Sequence, residues 1–241
     1  MFGTYEDFQR LINWDFETGR SESLLFFCNS GCNIKCDICY FNIQKFKMPD
    51  NTAEKIISEC AKENVTIFVN SGEPWYWWNY TRDFLIPLLN KYGGKYGLYT
   101  NGLWGRDEKI INETIKVKPQ NIIISTDYWH QKNVPIEYVN NILEAFKDEP
   151  TYIFGASIYN DEHPYDESNK WLKYDYYHIW YPLMINDKVY DKKEEKYAVT
   201  NPEHKNLIGL FNGIISYDGQ MIGDINKQTL GEMFKHANVK R

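Results

Sequence analysis

Nothing in this sequence of 241 residues approaches the run of about 20 apolar residues that a membrane span requires, and no signal-peptide pattern opens it. Positive charge is also in deficit: 27 Lys+Arg face 33 Asp+Glu, a formal net charge of -6. A nucleic-acid backbone is recognised by clustered cations, so this balance excludes it as the default partner. There is no low-complexity tract, long linker or internal repeat, and we expect a cytoplasmic protein with no membrane association. Cysteine is scarce and unevenly placed, with five in all, none after Cys60, and four between Cys28 and Cys39. Such crowding in a chain without a secretory signal favours metal over disulfides.

Aromatic residues are abundant, at 17% with 19 Tyr, 13 Phe and 8 Trp. Since 43% hydrophobic is ordinary, part of that excess is expected to line a wet-edged cavity. An amphipathic opening helix carries Tyr5, Phe8, Leu11 and Ile12, and short buried strands follow at Leu24 to Phe27, Val65 to Val69, Tyr96 to Tyr99 and Asn121 to Ile124. A fifth strand covers Tyr152 to Ile158, and a sixth lies within Tyr176 to Met184. Between them Asn51 and Glu54 suit a capping box, Pro135 suits a first helical turn, and Pro87 interrupts the helix expected over Thr81 to Lys91. Strands alternating with helices imply an α/β fold with a parallel sheet, curled or open, whose strand C-terminal ends share one rim where ligands bind. The boundaries expected are an N-terminal helix over 1–21, a core over 22–205, and a C-terminal extension over 206–241. In the last, Ile214 to Tyr217, Asp218-Gly219 and Gln220 to Ile222 read as a hairpin, followed by a helix carrying Leu230, Met233 and Phe234.

Directly after the first strand, Cys32, Cys36 and Cys39 form a CxxxCxxC triplet, which lets one loop wrap three thiolates around a metal centre. Soft thiolates suit zinc, for which Cys28 is a possible fourth ligand, or an iron–sulfur cluster with one iron left open. Cys28, at the end of a buried strand, and Cys60, on an apolar helix face, read as packing residues.

The next strand ends carry Ser71-Gly72-Glu73-Pro74, then Thr100-Asn101-Gly102, then Ser125-Thr126-Asp127. Glycine at 72 lets the backbone approach a ligand, and a rim glutamate accepts hydrogen bonds from an ammonium group. A cysteine triplet after the first strand, a Gly-Glu-Pro loop after the second and a Thr-Asn-Gly end on the third resemble the radical S-adenosylmethionine (SAM, AdoMet) superfamily, over about residues 22 to 158. Two departures are Ser71 where glycine is more usual and Ile38 where an aromatic residue is common.

The resemblance implies a partial (β/α)6 TIM-like barrel. It implies a [4Fe-4S] cluster on Cys32, Cys36 and Cys39, with SAM on the fourth iron. Ser71, Gly72 and Glu73 would meet the SAM amino group. Thr100, Asn101, Ser125 and Asp127 would lie near its carboxylate or ribose, and the Tyr40 backbone near its adenine. The implied reaction is reductive cleavage of SAM to a 5′-deoxyadenosyl radical that takes hydrogen from a small molecule or short peptide. An electron donor such as flavodoxin or ferredoxin and sensitivity to oxygen go with it. The extension is similar to the twitch/SPASM region of peptide-modifying members, but without cysteines it builds no second cluster.

Candidate substrate contacts are Trp75 in the run Trp75 to Trp78, His130 after the fourth strand, and Tyr177 and Trp180 in the last strand region. For each, packing in the core is the competing reading. The charged run Asp187 to Lys196 reads as a solvated loop. Two rival functions are a glycyl-radical activating enzyme and a zinc-stapled, non-catalytic binding module.

Overall fold

The computed structural model describes residues 1–12, 23–29, 31–37, 39, 47–70, 72–159, 178–182, 190–191, 196–197, 207–209, 214–217 and 220–236. Helix α1 (Tyr5–Leu11) opens it, with Thr4 and Asp7 forming a capping box. Phe8 and Leu11 are buried, but Tyr5 faces solvent. Its position lies on the outer side of a helix whose apolar stripe is narrower than expected.

Six strands follow in chain order and pair as parallel neighbours: β1 (Ser23–Phe26), β2 (Thr66–Val69), β3 (Tyr96–Thr100), β4 (Asn121–Ser125), β5 (Tyr152–Tyr159) and β6 (His178–Pro182). Their near-continuous apolar content is what a sheet covered on both faces requires. Helix α2 (Asp50–Lys62) joins β1 to β2, α5 (Glu108–Val117) joins β3 to β4, and α6 (Tyr128–Gln131) and α7 (Ile136–Phe146) join β4 to β5. Each of the six C-terminal strand ends therefore opens on the same rim.

Two helix starts differ from expectation. Helix α2 begins two residues earlier, behind Pro49 rather than Asn51, with no side-chain cap. Glu54 instead accepts from Lys91 and Tyr92 on the neighbouring helix, at 2.9 and 2.8 Å. After β2 a 3-10 turn over Pro74–Trp77 leads through α3 (Trp78–Tyr80) and a π-helical turn over Thr81–Leu85 into α4 (Ile86–Tyr92). The wider turn closes with Ile86 N–H bonding Thr81 O just before Pro87, which has no N–H to continue an ordinary helical ladder.

The C-terminal part is built onto the sheet. Strand β9 (Leu207–Gly209) pairs parallel with β1, and β10 (Ile214–Tyr217) and β11 (Gln220–Asp224) continue outward as an antiparallel hairpin. Helix α8 (Leu230–His236) buries Leu230, Met233 and Phe234, and Glu59 of α2 accepts from Leu230 N at 3.2 Å. The charged run expected to be loop contains a small hairpin, β7 (Tyr190–Asp191) with β8 (Lys196–Tyr197).

Behind the strand ends, Trp78, Trp75 and Trp104 stack in parallel, with centroids 6.1 and 4.7 Å apart, and Phe146 meets Trp104 edge-on. Each indole N–H has a partner: Thr114 Oγ1 for Trp75, Glu113 Oε2 for Trp78 and Thr100 Oγ1 for Trp104. A buried tryptophan with its N–H satisfied contributes its full apolar area to the core. Among the described residues no helix is long and apolar enough to cross a membrane.

Candidate active site

The loops after β1, β2 and β3 are bonded to one another. Glu73 N donates to Gly31 O at 2.8 Å, tying the second loop to the cysteine loop. Gly72 takes the left-handed conformation at φ 47°, which reverses the chain so that Glu73 turns inward. Gly31 has no room for a side chain: a Cβ there would collide with Trp77 Nε1 and lie 2.7 Å from the Tyr76 ring. The cysteine loop thus rests on the Pro74–Trp77 turn.

Glu73 is fully buried. Its Oε1 accepts from Trp75 N at 3.1 Å and Thr100 Oγ1 at 2.8 Å, and its Oε2 accepts from Asn101 N at 2.7 Å. The Thr100 hydroxyl has one hydrogen and two lone pairs. Trp104 Nε1 and Gly102 N, both at 3.0 Å, occupy the lone pairs, so the hydrogen is directed at Glu73. Burial pushes the Glu73 carboxyl up to about 7, although those three donors favour its ionised form. Three of roughly four acceptor sites on the carboxylate are taken. The one remaining, on Oε2, suits an ammonium donor.

Asn101 stands between this carboxylate and the cysteines. Its Oδ1 accepts from Leu103 N at 2.9 Å, while its Nδ2 donates to Asn33 Oδ1 at 2.8 Å and to Cys32 Sγ at 3.7 Å. Cys32, Cys36 and Cys39 are partly buried and close together on one loop, and a Cys39 N to Cys36 O bond of 3.1 Å links the last two. Burial pushes the Cys32 thiol up to about 12; the Ile34 backbone N–H opposes this, and Glu73, Cys39 and Cys36 add to it.

At the end of β4, Asp127 caps the short helix α6 by accepting from His130 N at 3.0 Å. Both of its oxygens also lie 2.8 Å from His130 Nδ1. Burial lowers the pKa of His130, but hydrogen bonds from the ring to Asp127 and to Cys36 outweigh that and raise it to about 10. Thr126, between Ser125 and Asp127, bonds Ser157 of β5 at 3.1 Å.

Of the residues expected at this site, Cys32, Glu73, Thr100 and Asn101 form one hydrogen-bonded group; Gly72 adjoins Glu73, Cys36 and Cys39 are bonded to each other on the cysteine loop, and Ser125, Asp127 and His130 stand at the adjoining strand end. Trp75 lies in the indole stack, 4% exposed, with its ring packed toward α5. Tyr40, Ser71 and Tyr177 lie outside the described residues, as does the side chain of Trp180, whose backbone pairs with Ser157. Cys28 and Cys60 are buried in the core. Three participants went unread in the sequence: Gly31, Asn33 and Trp104. A glycine inside the cysteine loop was the available signal for the first.

The donor set fits a thiolate-held cluster. Each cysteine on a cubane binds a different iron, so the three sulfurs need not converge on a point, whereas tetrahedral zinc demands convergence. Among the described residues no three His, Cys, Asp or Glu side chains are gathered closely enough to hold one metal ion. In addition, the buried Trp77 Nε1–H has no partner among the described residues and sits against the loop at Gly31, leaving a donor for an acceptor bound there.

The parallel order of β1 to β6, with helices between the first five among the described residues, is that of an α/β partial barrel of the (β/α)6 kind. Solved structures with this fold include native anSMEcpe with bound AdoMet, at 16% identity and a TM-score of 0.59, over 88% of this chain and 80% of that one. BtrN in complex with AdoMet and 2-DOIA is similar at 13% and 0.54, over 90% of this chain and 85% of that one. Streptococcus suis SuiB bound to the precursor peptide SuiA is similar at 13% and 0.56, over 88% and 64%. No protein-family model and no curated protein matches the chain.

Proposed function

We infer that this protein is a radical SAM enzyme with one [4Fe-4S] cluster, held by Cys32, Cys36 and Cys39, and that it abstracts hydrogen from a small molecule or a short peptide. The observation that carries this reading is Asn101, which bonds Cys32 through its side chain and Glu73 through its backbone, joining the expected metal loop to the expected SAM loop. The fold likeness to AdoMet-bound structures supports it; those structures include one with a peptide and one with 2-DOIA.

A cluster held by Cys32, Cys36 and Cys39 would supply one-electron reduction of SAM, the chemistry that yields methionine and a 5′-deoxyadenosyl radical able to take a hydrogen atom from the substrate. The chain's own residues position and select. Glu73 offers its remaining acceptor site to the SAM ammonium, and a cation there favours the ionised carboxylate. Thr100 and Trp104 keep that carboxylate fixed. Ser125 and Asp127 border the ribose and carboxylate end. The reductant is a low-potential one-electron donor of the flavodoxin or ferredoxin kind.

Anaerobically reconstituted protein, given dithionite and SAM, is expected to form 5′-deoxyadenosine, measured by chromatography. Unchanged turnover in Cys32→Ala, Cys36→Ala or Cys39→Ala would refute the assignment.

A further inference from the structure

The end of β3 presents an N–H donor to a cysteine sulfur, and on the cluster reading above that sulfur is a metal ligand. The donor is Asn101. Its Oδ1 is engaged by Leu103 N, which identifies the two ends of the amide and turns the NH2 end toward the cysteine loop. One of its hydrogens serves Asn33 Oδ1 and the other Cys32 Sγ. Because its backbone N–H is held by Glu73 Oε2, the residue has little freedom to turn away. Beyond β4, the His130 ring is held by both oxygens of Asp127. The same segment is fastened to the loop by Lys132 Nζ to Asp37 Oδ2 at 3.1 Å and Asn133 Nδ2 to Lys35 O at 3.4 Å.

We propose that the Asn101 side chain acts on the metal centre, donating to the Cys32 sulfur and thereby raising the one-electron reduction potential of the cluster. Reduction adds one negative charge, much of it borne by sulfur. A donor aimed at sulfur stabilises the more negative state more, because hydrogen bonds to charged acceptors are the stronger ones. Cluster potentials respond to hydrogen bonds of this kind. The side chain then serves the first electron transfer rather than the SAM carboxylate, and the Thr-Asn-Gly strand end couples the SAM loop to the metal loop.

The test is a titanium(III) citrate titration of the anaerobically reconstituted full chain, without SAM, following the reduced cluster by electron paramagnetic resonance. Wild type is compared with Asn101→Asp and Asn101→Ala. The aspartate retains an oxygen for Leu103 N–H, removes the donor and sets a carboxylate against the sulfur. At a fixed solution potential the ratio of reduced to oxidised cluster is expected to fall about tenfold in Asn101→Asp, or about 59 mV for one electron, and less in Asn101→Ala, with iron content equal to wild type. Loaded variants with the wild-type midpoint overturn the proposal and leave the cluster reading standing. If neither variant takes up iron, the amide holds the loop rather than tunes the metal, and the proposal also fails. A wild-type chain that takes up no iron and sulfide ends both readings.

Discussion

Glu73→Gln removes one titration while keeping the side chain's shape. In the folded chain burial lifts the Glu73 carboxyl to about 7 from an ordinary value of 4.5. Between those values the folded state keeps a proton that the unfolded state has released, so stability falls as pH rises through that window. The stabilisation is complete below 4.5 and lost above 7. A separation of about 2.5 units at 1.36 kcal/mol per unit gives an effect of about 3 kcal/mol. Glutamine does not titrate. Its amide nitrogen faces Asn101 N–H, a donor against a donor in a buried place, at a cost of about 1–3 kcal/mol that is the same at every pH. The variant is therefore expected to be less stable than wild type near pH 5 and to draw level with it or overtake it by pH 8. Urea unfolding of the metal-free, reduced protein, followed by circular dichroism at pH 5, 6, 7 and 8, measures this, and groups common to both proteins cancel in the difference. Parallel profiles would refute the reasoning, since they would mean that Glu73 ionises as an exposed carboxyl does.

The same carboxyl makes SAM affinity rise with pH, up to about tenfold per unit below 7, until the SAM amino group itself begins to lose its proton at about pH 8, as read by isothermal calorimetry; a flat profile below 7 in wild type, or the same slope in Glu73→Gln, counts against a Glu73–ammonium contact. Thr100→Val strips the acceptor from Trp104 Nε1 and Gly102 N together and is expected to cost at least about 2 kcal/mol, a fall in Tm of about 4–8 °C by calorimetry. Gly31→Ala forces the cysteine loop off the Tyr76–Trp77 surface, so iron uptake on reconstitution should drop well below wild type; full loading would show that the loop yields without consequence.

Most of the framework was legible because buried parallel strands announce themselves. Val65 to Val69 and Asn121 to Ile124 are short apolar runs with turn residues behind them, and all but the first residue lie in strands. The cysteine spacing and the order Gly-Glu-Pro, Thr-Asn-Gly were readable for the same reason, since local motifs survive without knowledge of tertiary partners. What failed to show was non-local. Glu54 was assigned to its own helix end, but a lysine and a tyrosine 37 and 38 positions away claim it. Trp104 carries no local signal, yet its indole N–H fixes the direction of the Thr100 hydroxyl. Asn101 was assigned to SAM, and nothing in the order of residues indicates that its amide turns toward a cysteine. Strand β9 is three residues long and gains its identity only from lying along β1.

That placement has a consequence for truncation. Strand β1 leads straight into the cysteine loop, and β9 covers the flank opposite β2. Shortening the protein before residue 207 would bare a row of peptide groups on an apolar strand, a ready template for self-association. A tail without cysteine therefore keeps the strand that leads into the cysteine loop from recruiting a second molecule.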